Sequence, residues 1–258
     1  MAPQINGSVV KAFTVLKLFS EQRPELTASE VARETGMNGI TAHRFLRTLE
    51  HVGALVAVSK GVYRLGYVFA DLGDRVLQND ALARLLQPHL NALSEELREA
   101  TMATVFRSDM VYCIARATSA RSLSVEIRVG SQLDGYCTAH GKTWLAFMPE
   151  HERQRYLETV ERVRFTKNTI TDLDALNAEL EIVRRQGYAI NNSEREDGIR
   201  AVAVPVRTRT GRMIAGLSAF GPSTRFTEKT TEKALVALRA AALQAENSLY
   251  GDEGEGAE

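Results

Sequence analysis

Three chemistries overlap in the stretch Tyr136-Cys137-Thr138-Ala139-His140-Gly141-Lys142-Thr143-Trp144. Gly141-Lys142-Thr143 is how a phosphate-binding loop ends, Cys137 and His140 are the residue types of a nucleophile and its base, and both side chains are metal ligands. Spacing removes the first. A phosphate loop needs four residues between its glycines, whereas Gly135 leaves five before Gly141, and the buried strand that should precede the loop is missing from the pattern. A catalytic pair needs a third group to orient the imidazole and a site for an oxyanion, and the neighbouring sequence nominates neither. A buried thiol and a histidine on a helix turn is therefore the favoured reading, with an enzyme using Cys137 and His140 as the alternative. Zinc would need two further ligands, and the nearby candidates Cys113 and His151 stand at no common zinc spacing. Neither a metal nor a cofactor is expected. What the stretch does offer is a helix start of small residues, Thr138-Ala139-His140-Gly141, whose free backbone N–H groups and dipole favour an anion such as a carboxylate.

The elements around it must be read from the whole chain of 258 residues, long enough for two modest domains. With 44% hydrophobic and 25% charged residues and a formal net charge of zero, it reads as globular and soluble, without a whole-chain signal for nucleic acid. Two cysteines are too few for a disulfide framework, and MAPQINGSVVKAF lacks the apolar run of a signal peptide. A cytoplasmic protein is expected, with no membrane partner. The closing GDEGEGAE, residues 251–258, reads as an acidic disordered tail.

Local charge tells more than the total. Val9, Val10, Phe13, Leu16, Leu18 and Phe19 recur at helical spacing after Asn6, up to Arg23-Pro24. Thr27-Ala28-Ser29-Glu30 is a capping box that opens a second helix, and Thr35-Gly36 ends it. Asn38 caps a third helix with Ala42, Phe45, Leu46, Leu49 and Val52 on its apolar stripe. Two short helices joined by a glycine turn form a helix-turn-helix, whose second helix can enter a major groove. Its outer face carries Thr41, His43, Arg44, Arg47, Thr48 and His51, donors suited to phosphates and base edges. ALVAVSKGVYRLG then alternates about Lys60-Gly61 as a hairpin, or wing, with Lys60 and Arg64 toward the DNA backbone. Residues 1–66 hold eight Lys/Arg against five Glu, which puts the positive excess on the elements that would meet DNA.

With ASEVARETGMN, TAHRFLRTLEHVG and YRLG in order, the chain resembles the IclR family of bacterial transcription regulators. Family members usually open the recognition helix with proline, lysine and serine where this chain has Asn38, Gly39 and Ile40. Ile40 donates no hydrogen bond and can at most touch a thymine methyl, so the operator sequence does not transfer.

From Tyr67 to Ala100 the helical period is interrupted by Gly73, Asn79-Asp80 and Pro88, which predicts a linker helix over 67–79 and then the first helix of a second domain with Leu82, Leu85, Leu86, Leu90, Leu93 and Leu97 inward. The resemblance implies that this region mediates dimer formation. From Thr101 the pattern turns to strands, TMATVFR, MVYCIARA and SLSVEIRVG. Helices follow from Thr138, after Pro149 and over 172–186, then a hairpin about Thr210-Gly211, and a last helix from Thr227 toward Tyr250. The expected fold is α+β in two domains: a winged helix-turn-helix over 1–66, and over 80–250 an oligomerising effector-binding domain that the resemblance makes GAF-like.

The same resemblance extends through TAHGKTWLA, QGYAINNSEREDGIRAVAVPV and GLSAFGP. It implies a pocket for a small organic acid, built on the helix start at Thr138, Ala139, His140 and Gly141. Family members that bind glyoxylate or pyruvate add an aspartate, a cysteine and two serines; the matching positions here are Asn191, Ala201, Ser218 and Phe220. A methyl and a phenyl ring in place of a thiol and a hydroxyl make the site more apolar, so an aromatic or longer acid packed against Phe220, Trp144 or Ile199 becomes as suitable as a two-carbon one. The expected partners are a palindromic double-stranded operator, a small-acid effector and further copies of the chain in a dimer or tetramer.

Overall fold

The computed structural model describes residues 5–20, 22–119, 121, 125 and 127–250, without the side chains of 74 and 76–79. Contacts divide the chain into two compact units that meet in sequence at Asn79 and Asp80.

The first unit runs α1 (Gly7–Leu16), β1 (Glu25–Thr27), α2 (Ala28–Thr35), α3 (Gly39–His51), β2 (Leu55–Ser59), β3 (Val62–Leu65) and α4 (Val68–Asn79). Local signals set most of its boundaries. The Thr27 side chain accepts from the Glu30 N–H while the Glu30 carboxylate takes the Thr27 N–H at 2.8 Å, so both donors of the capping box are satisfied. Gly36 ends α2 at φ 69°, and Asn38 Oδ1 takes the Thr41 N–H at 2.8 Å to open α3. Val15, Leu26, Val31, Ala42, Leu46, Leu55 and Tyr63 form the core beneath α3. Three expectations need correction. The first helix ends at Leu16, well short of Pro24. Val52 is exposed, because it is the C-cap after the last helical turn and no longer follows the helical stripe. The wing is three-stranded, with Leu26 of β1 paired to Tyr63 of β3; burial of Leu26 outweighs the brevity of a strand too short to show alternation.

The second unit runs α5 (Ala81–Leu97), β4 (Ala100–Arg107), β5 (Met110–Ala117), β6 (Gln132–Leu133), α6 (Ala139–Phe147), α7 (Glu150–Thr159), α8 (Leu173–Gln186), β7 (Ala189–Asn192), β8 (Ile199–Arg207), β9 (Met213–Pro222) and α9 (Glu228–Tyr250). Its strands form one antiparallel sheet in the order β6-β5-β4-β9-β8-β7. Alternate residues of the central strands divide two cores. Ala103, Val202, Val204 and Leu217 pack with leucines of α5 and with Leu238 of α9. Met102, Ala201, Ala203 and Phe220 face the other way, toward Ala139 at the start of α6. Behind α6, Leu145, Tyr156, Leu176 and Leu180 make a third cluster with Tyr136 and Cys137.

Gly73 and Pro88 lie inside helices and do not break them; the interruption is at Asp80, whose carboxylate caps α5 by accepting the Ala83 N–H. A proline inside a helix costs about 3 kcal/mol, whereas burial of Leu86, Leu90, Leu93 and Leu97 contributes roughly 1.5–3 kcal/mol each, so packing prevails. Of the strand expected in SLSVEIRVG, residues 122–124 and 126 lie outside the described ones, and the remainder up to Gly130 is not strand; the edge is β6. The proposed tail 251–258 also lies outside the described residues.

Candidate effector cavity and nucleic-acid interface

On the first unit, Asn38, Gly39, Ile40, His43, Arg44 and Arg47 are exposed along one side of α3, and Thr41 is half-buried. The Asn38 side-chain oxygen is consumed in capping, which leaves its amide NH2 for any outside partner. Arg47 is held by Glu50 at 2.7 Å, one turn on. Arg44 has no ion pair among the described residues, which makes it the least encumbered cation of the helix. Lys60 stands at the hairpin tip; Arg64, exposed on β3, lies with its guanidinium 5.6 Å from the centre of the Tyr67 ring.

In the second unit a cavity of about 250 Å³ opens between the start of α6, the ends of β7 and β8, and β9. Of the ten residues expected there, Thr138, Ala139, His140, Asn191, Ile199, Ala201 and Phe220 line it. Gly141, Trp144 and Ser218 do not. Gly141 faces the preceding segment: a Cβ on it would stand 2.1 Å from the Gly135 carbonyl oxygen, so glycine permits that close approach. Trp144, one helical turn on from His140 and Gly141, packs with Val111 and Met213, and its Nε1–H donates to Thr104 Oγ1 at 3.2 Å. Ser218 is fully buried among the strands, its hydroxyl without a partner.

The helix start is capped by its own side chain. Thr138 Oγ1 accepts the Gly141 N–H at 3.0 Å and donates to the Asp134 carbonyl, and the first helical hydrogen bond runs from Lys142 N to Thr138 O. The N–H groups of Ala139 and His140 precede that bond, at the positive end of the helix dipole. His140 is 1% exposed, and burial lowers its pKa to about 3, so the ring is neutral. Its Nδ1 lies 2.8 Å from Thr104 Oγ1, and its Nε2 is buried without a partner. Gly216 makes room for the ring, since a Cβ there would lie 2.9 Å from Nδ1. Asn191 Oδ1 accepts the Glu194 N–H at 2.8 Å, so its polar handle is shared with the loop after β7.

Sequence reasoning missed Arg195 and Glu196 of that loop, which also line the cavity, along with Met102 and Ile127 on its apolar side. Arg195 Nε binds Asp134 Oδ2 at 2.6 Å, and its guanidinium lies 3.8 Å over the Phe165 ring. No periodicity marks a loop residue, so only the folded chain brings it to the rim. A larger depression, about 610 Å³, lies beside α5 between Asn91, Arg98, Arg116 and Arg121; no buried polar atom without a partner faces it among the described residues.

The pair Cys137 and His140 is not arranged for nucleophilic catalysis. Cys137 is buried among Tyr136, Leu145 and Tyr156, burial pushes its thiol up to about 12, and the His140 nitrogen with a protein partner is turned to Thr104. The described residues contain no group of three or more His, Cys, Asp or Glu placed to hold a metal ion, and no helix long and apolar enough to cross a membrane.

A winged helix-turn-helix followed in one chain by an α+β unit with a small cavity of mixed polar and apolar lining defines a DNA-binding regulator with its own ligand-binding domain. Family models agree with that build: residues 8–59 match the IclR helix-turn-helix domain and residues 74–247 the C-terminal domain of bacterial IclR transcriptional regulators. The chain belongs to the IclR family of transcriptional regulators. It is 35% identical over 241 residues to the HTH-type transcriptional regulator KdgR of Escherichia coli strain K12, covering 93% of this chain and 91% of that one. It is 31% identical to the Pca regulon regulatory protein of Pseudomonas putida, covering 93% and 82%. Among solved structures, the IclR of Thermotoga maritima superposes with a TM-score of 0.75 at 31% identity, covering 95% of this chain and 99% of that one. An IclR homologue of Microbacterium hydrocarbonoxydans complexed with 4-hydroxybenzoate superposes with a TM-score of 0.77 at 29% identity, covering 95% and 99%.

Proposed function

We propose that this regulator reads a palindromic operator through α3 and the wing and adjusts its affinity for that operator when a small organic acid enters the cavity at the start of α6. The domains follow: residues 1–66 for DNA, 67–79 as linker, 80–250 for effector and oligomerisation. Asn38 to Thr41, His43, Arg44 and Arg47 meet the groove, with Lys60 and Arg64 on phosphates.

The observation that carries the effector reading is the meeting, in one cavity, of a helix N-terminus with the apolar side chains Phe220 and Ile199. The carboxylate sits at the Ala139 and His140 N–H groups, and the body of the acid lies against Phe220 and Ile199. An aromatic acid suits that body, and a homologue of the same fold binds 4-hydroxybenzoate. Val9, Val10 and Phe13 leave an apolar stripe exposed on α1, which supports assembly with further copies. Control is linkage: the acid and the operator each favour one arrangement of the subunits, so each shifts the affinity of the other reciprocally.

The test is operator binding by the full chain, with DNA enriched from a random pool by the protein itself, titrated with glyoxylate, pyruvate, benzoate and 4-hydroxybenzoate. A change in operator affinity with at least one acid is expected. No change with any of them, or unaltered acid affinity in Phe220→Ala, overturns the effector reading; unaltered DNA binding in Arg44→Ala overturns the interface.

A further inference from the structure

His140 ends in two nitrogens with different fates. Nδ1 lies 2.8 Å from Thr104 Oγ1, while Nε2 is buried with no partner in a side chain that lines the cavity. The Thr104 oxygen also receives the indole N–H of Trp144, at 3.2 Å. An indole nitrogen only donates, so Thr104 must accept from Trp144 and has a single hydrogen of its own to place. Among the described residues, the acceptor recorded within its reach is His140 Nδ1. The opposite arrangement would aim two donors at one oxygen, strand the Thr104 hydrogen without an acceptor and leave Nε2 as a bare lone pair.

We infer that Trp144 and Thr104 form a relay that sets the His140 tautomer with its hydrogen on Nε2, and that this buried N–H selects an effector by an acceptor oxygen. The inference rests on the effector reading above and narrows it. Ala139 and His140 both line the cavity, so Nε2–H adds a donor to the backbone N–H groups of the helix start. The ligand class is therefore an anionic acid whose carboxylate, or an oxygen next to it, reaches His140; an amine placed at His140 would face a donor instead of an acceptor. Thr104 and Trp144 are positioning residues, since neither lines the cavity. The neutral ring keeps this N–H throughout the neutral pH range.

The tautomer is read directly in the ligand-free full chain, labelled with 15N-histidine, from long-range proton–nitrogen correlations, with the His140 signals assigned by their loss in His140→Gln. A protonated, pyrrole-type Nε2 and an acceptor-type Nδ1 are expected; the reverse pattern overturns the relay. Thr104→Val should mix the two tautomers and Thr104→Ser restore the original, while Trp144→Phe should shift the balance toward Nδ1–H. The wild-type spectrum decides the assignment even where a variant fails to fold. Calorimetric titration with benzoate, 4-hydroxybenzoate and pyruvate then reads selection: Thr104→Val should weaken the best-bound acid about tenfold, with Thr104→Ser close to wild type. Unchanged affinity in a Thr104→Val protein whose tautomer has shifted overturns the selecting role. Failure of every acid to bind the wild type overturns the effector reading and the ligand half of this one, while the tautomer stands or falls on the ligand-free spectrum.

Discussion

Lys142 Nζ lies 2.7 Å from Glu194 Oε1, and both side chains are buried, so the lysine of the Gly-Lys-Thr triplet spends its charge on the protein's own carboxylates. A second oxygen, Glu179 Oε1, stands at 2.8 Å, and the pair ties α6 to the loop that carries Arg195 and Glu196 to the cavity rim. Removing one partner of a buried pair leaves the other charged and unpaired, at a cost of roughly 3–5 kcal/mol. Lys142→Met should therefore lower stability by about that much in denaturant unfolding, and adding Glu194→Gln should recover part of it. A loss as small as that of an exposed pair would show that water reaches the site.

Acid should weaken the effector domain through His140. Burial lowers its folded pKa from 6.5 to about 3, so between these values the unfolded chain binds a proton that the folded chain does not. Stability is then fully present above 6.5 and falls as pH drops through the window, by about 1.4 kcal/mol per unit at most. His140→Gln should flatten that part of the profile in chemical denaturation from pH 7 to pH 4, measured as a difference from wild type.

DNA binding should separate by residue. Arg44→Ala, on the exposed side of α3, should weaken a selected operator by about 1–3 kcal/mol and relax its sequence preference. Lys60→Ala, at the wing tip, should instead weaken all duplexes alike and lower the slope of log affinity against log salt by about one. Fluorescence anisotropy over a salt series distinguishes the two.

Selectivity within the cavity should follow the ring of Phe220. Phe220→Leu keeps an apolar side chain but removes the aromatic face, so affinity for 4-hydroxybenzoate should fall about tenfold and affinity for pyruvate change by less than about twofold. Equal losses for both acids would place the ring away from the ligand body.

The capping box offers a local control. Thr27→Ala removes the acceptor of the Glu30 N–H and one end of a reciprocal bond, which should cost the first unit about 1 kcal/mol in thermal unfolding and leave acid binding in the second unchanged.

Which parts of this protein were legible in the chain follows from how far each interaction reaches along it. Caps and turns are made by residues two to four apart, so Thr27 with Glu30, the Asn38 cap, Gly36 and the start of α6 at Thr138 could be read directly, and the family motifs added the two-domain plan. Ala139 was legible as part of that helix start, whereas Ala201 and Phe220 were expected in the cavity only because they stand at the family's matching positions. The departures came where packing outweighed a local rule, as at Pro88, or where an element was too short to carry a period, as in β1. Trp144 and Ser218 share a helix or a strand with cavity residues, yet the cavity ends before reaching either. Only the tertiary structure brings Thr104 of β4 against His140 of α6, leaves Nε2 without a partner and joins Lys142 to Glu194. These contacts join residues 36 and 52 positions apart, and no periodicity within one element records what another element will place opposite it.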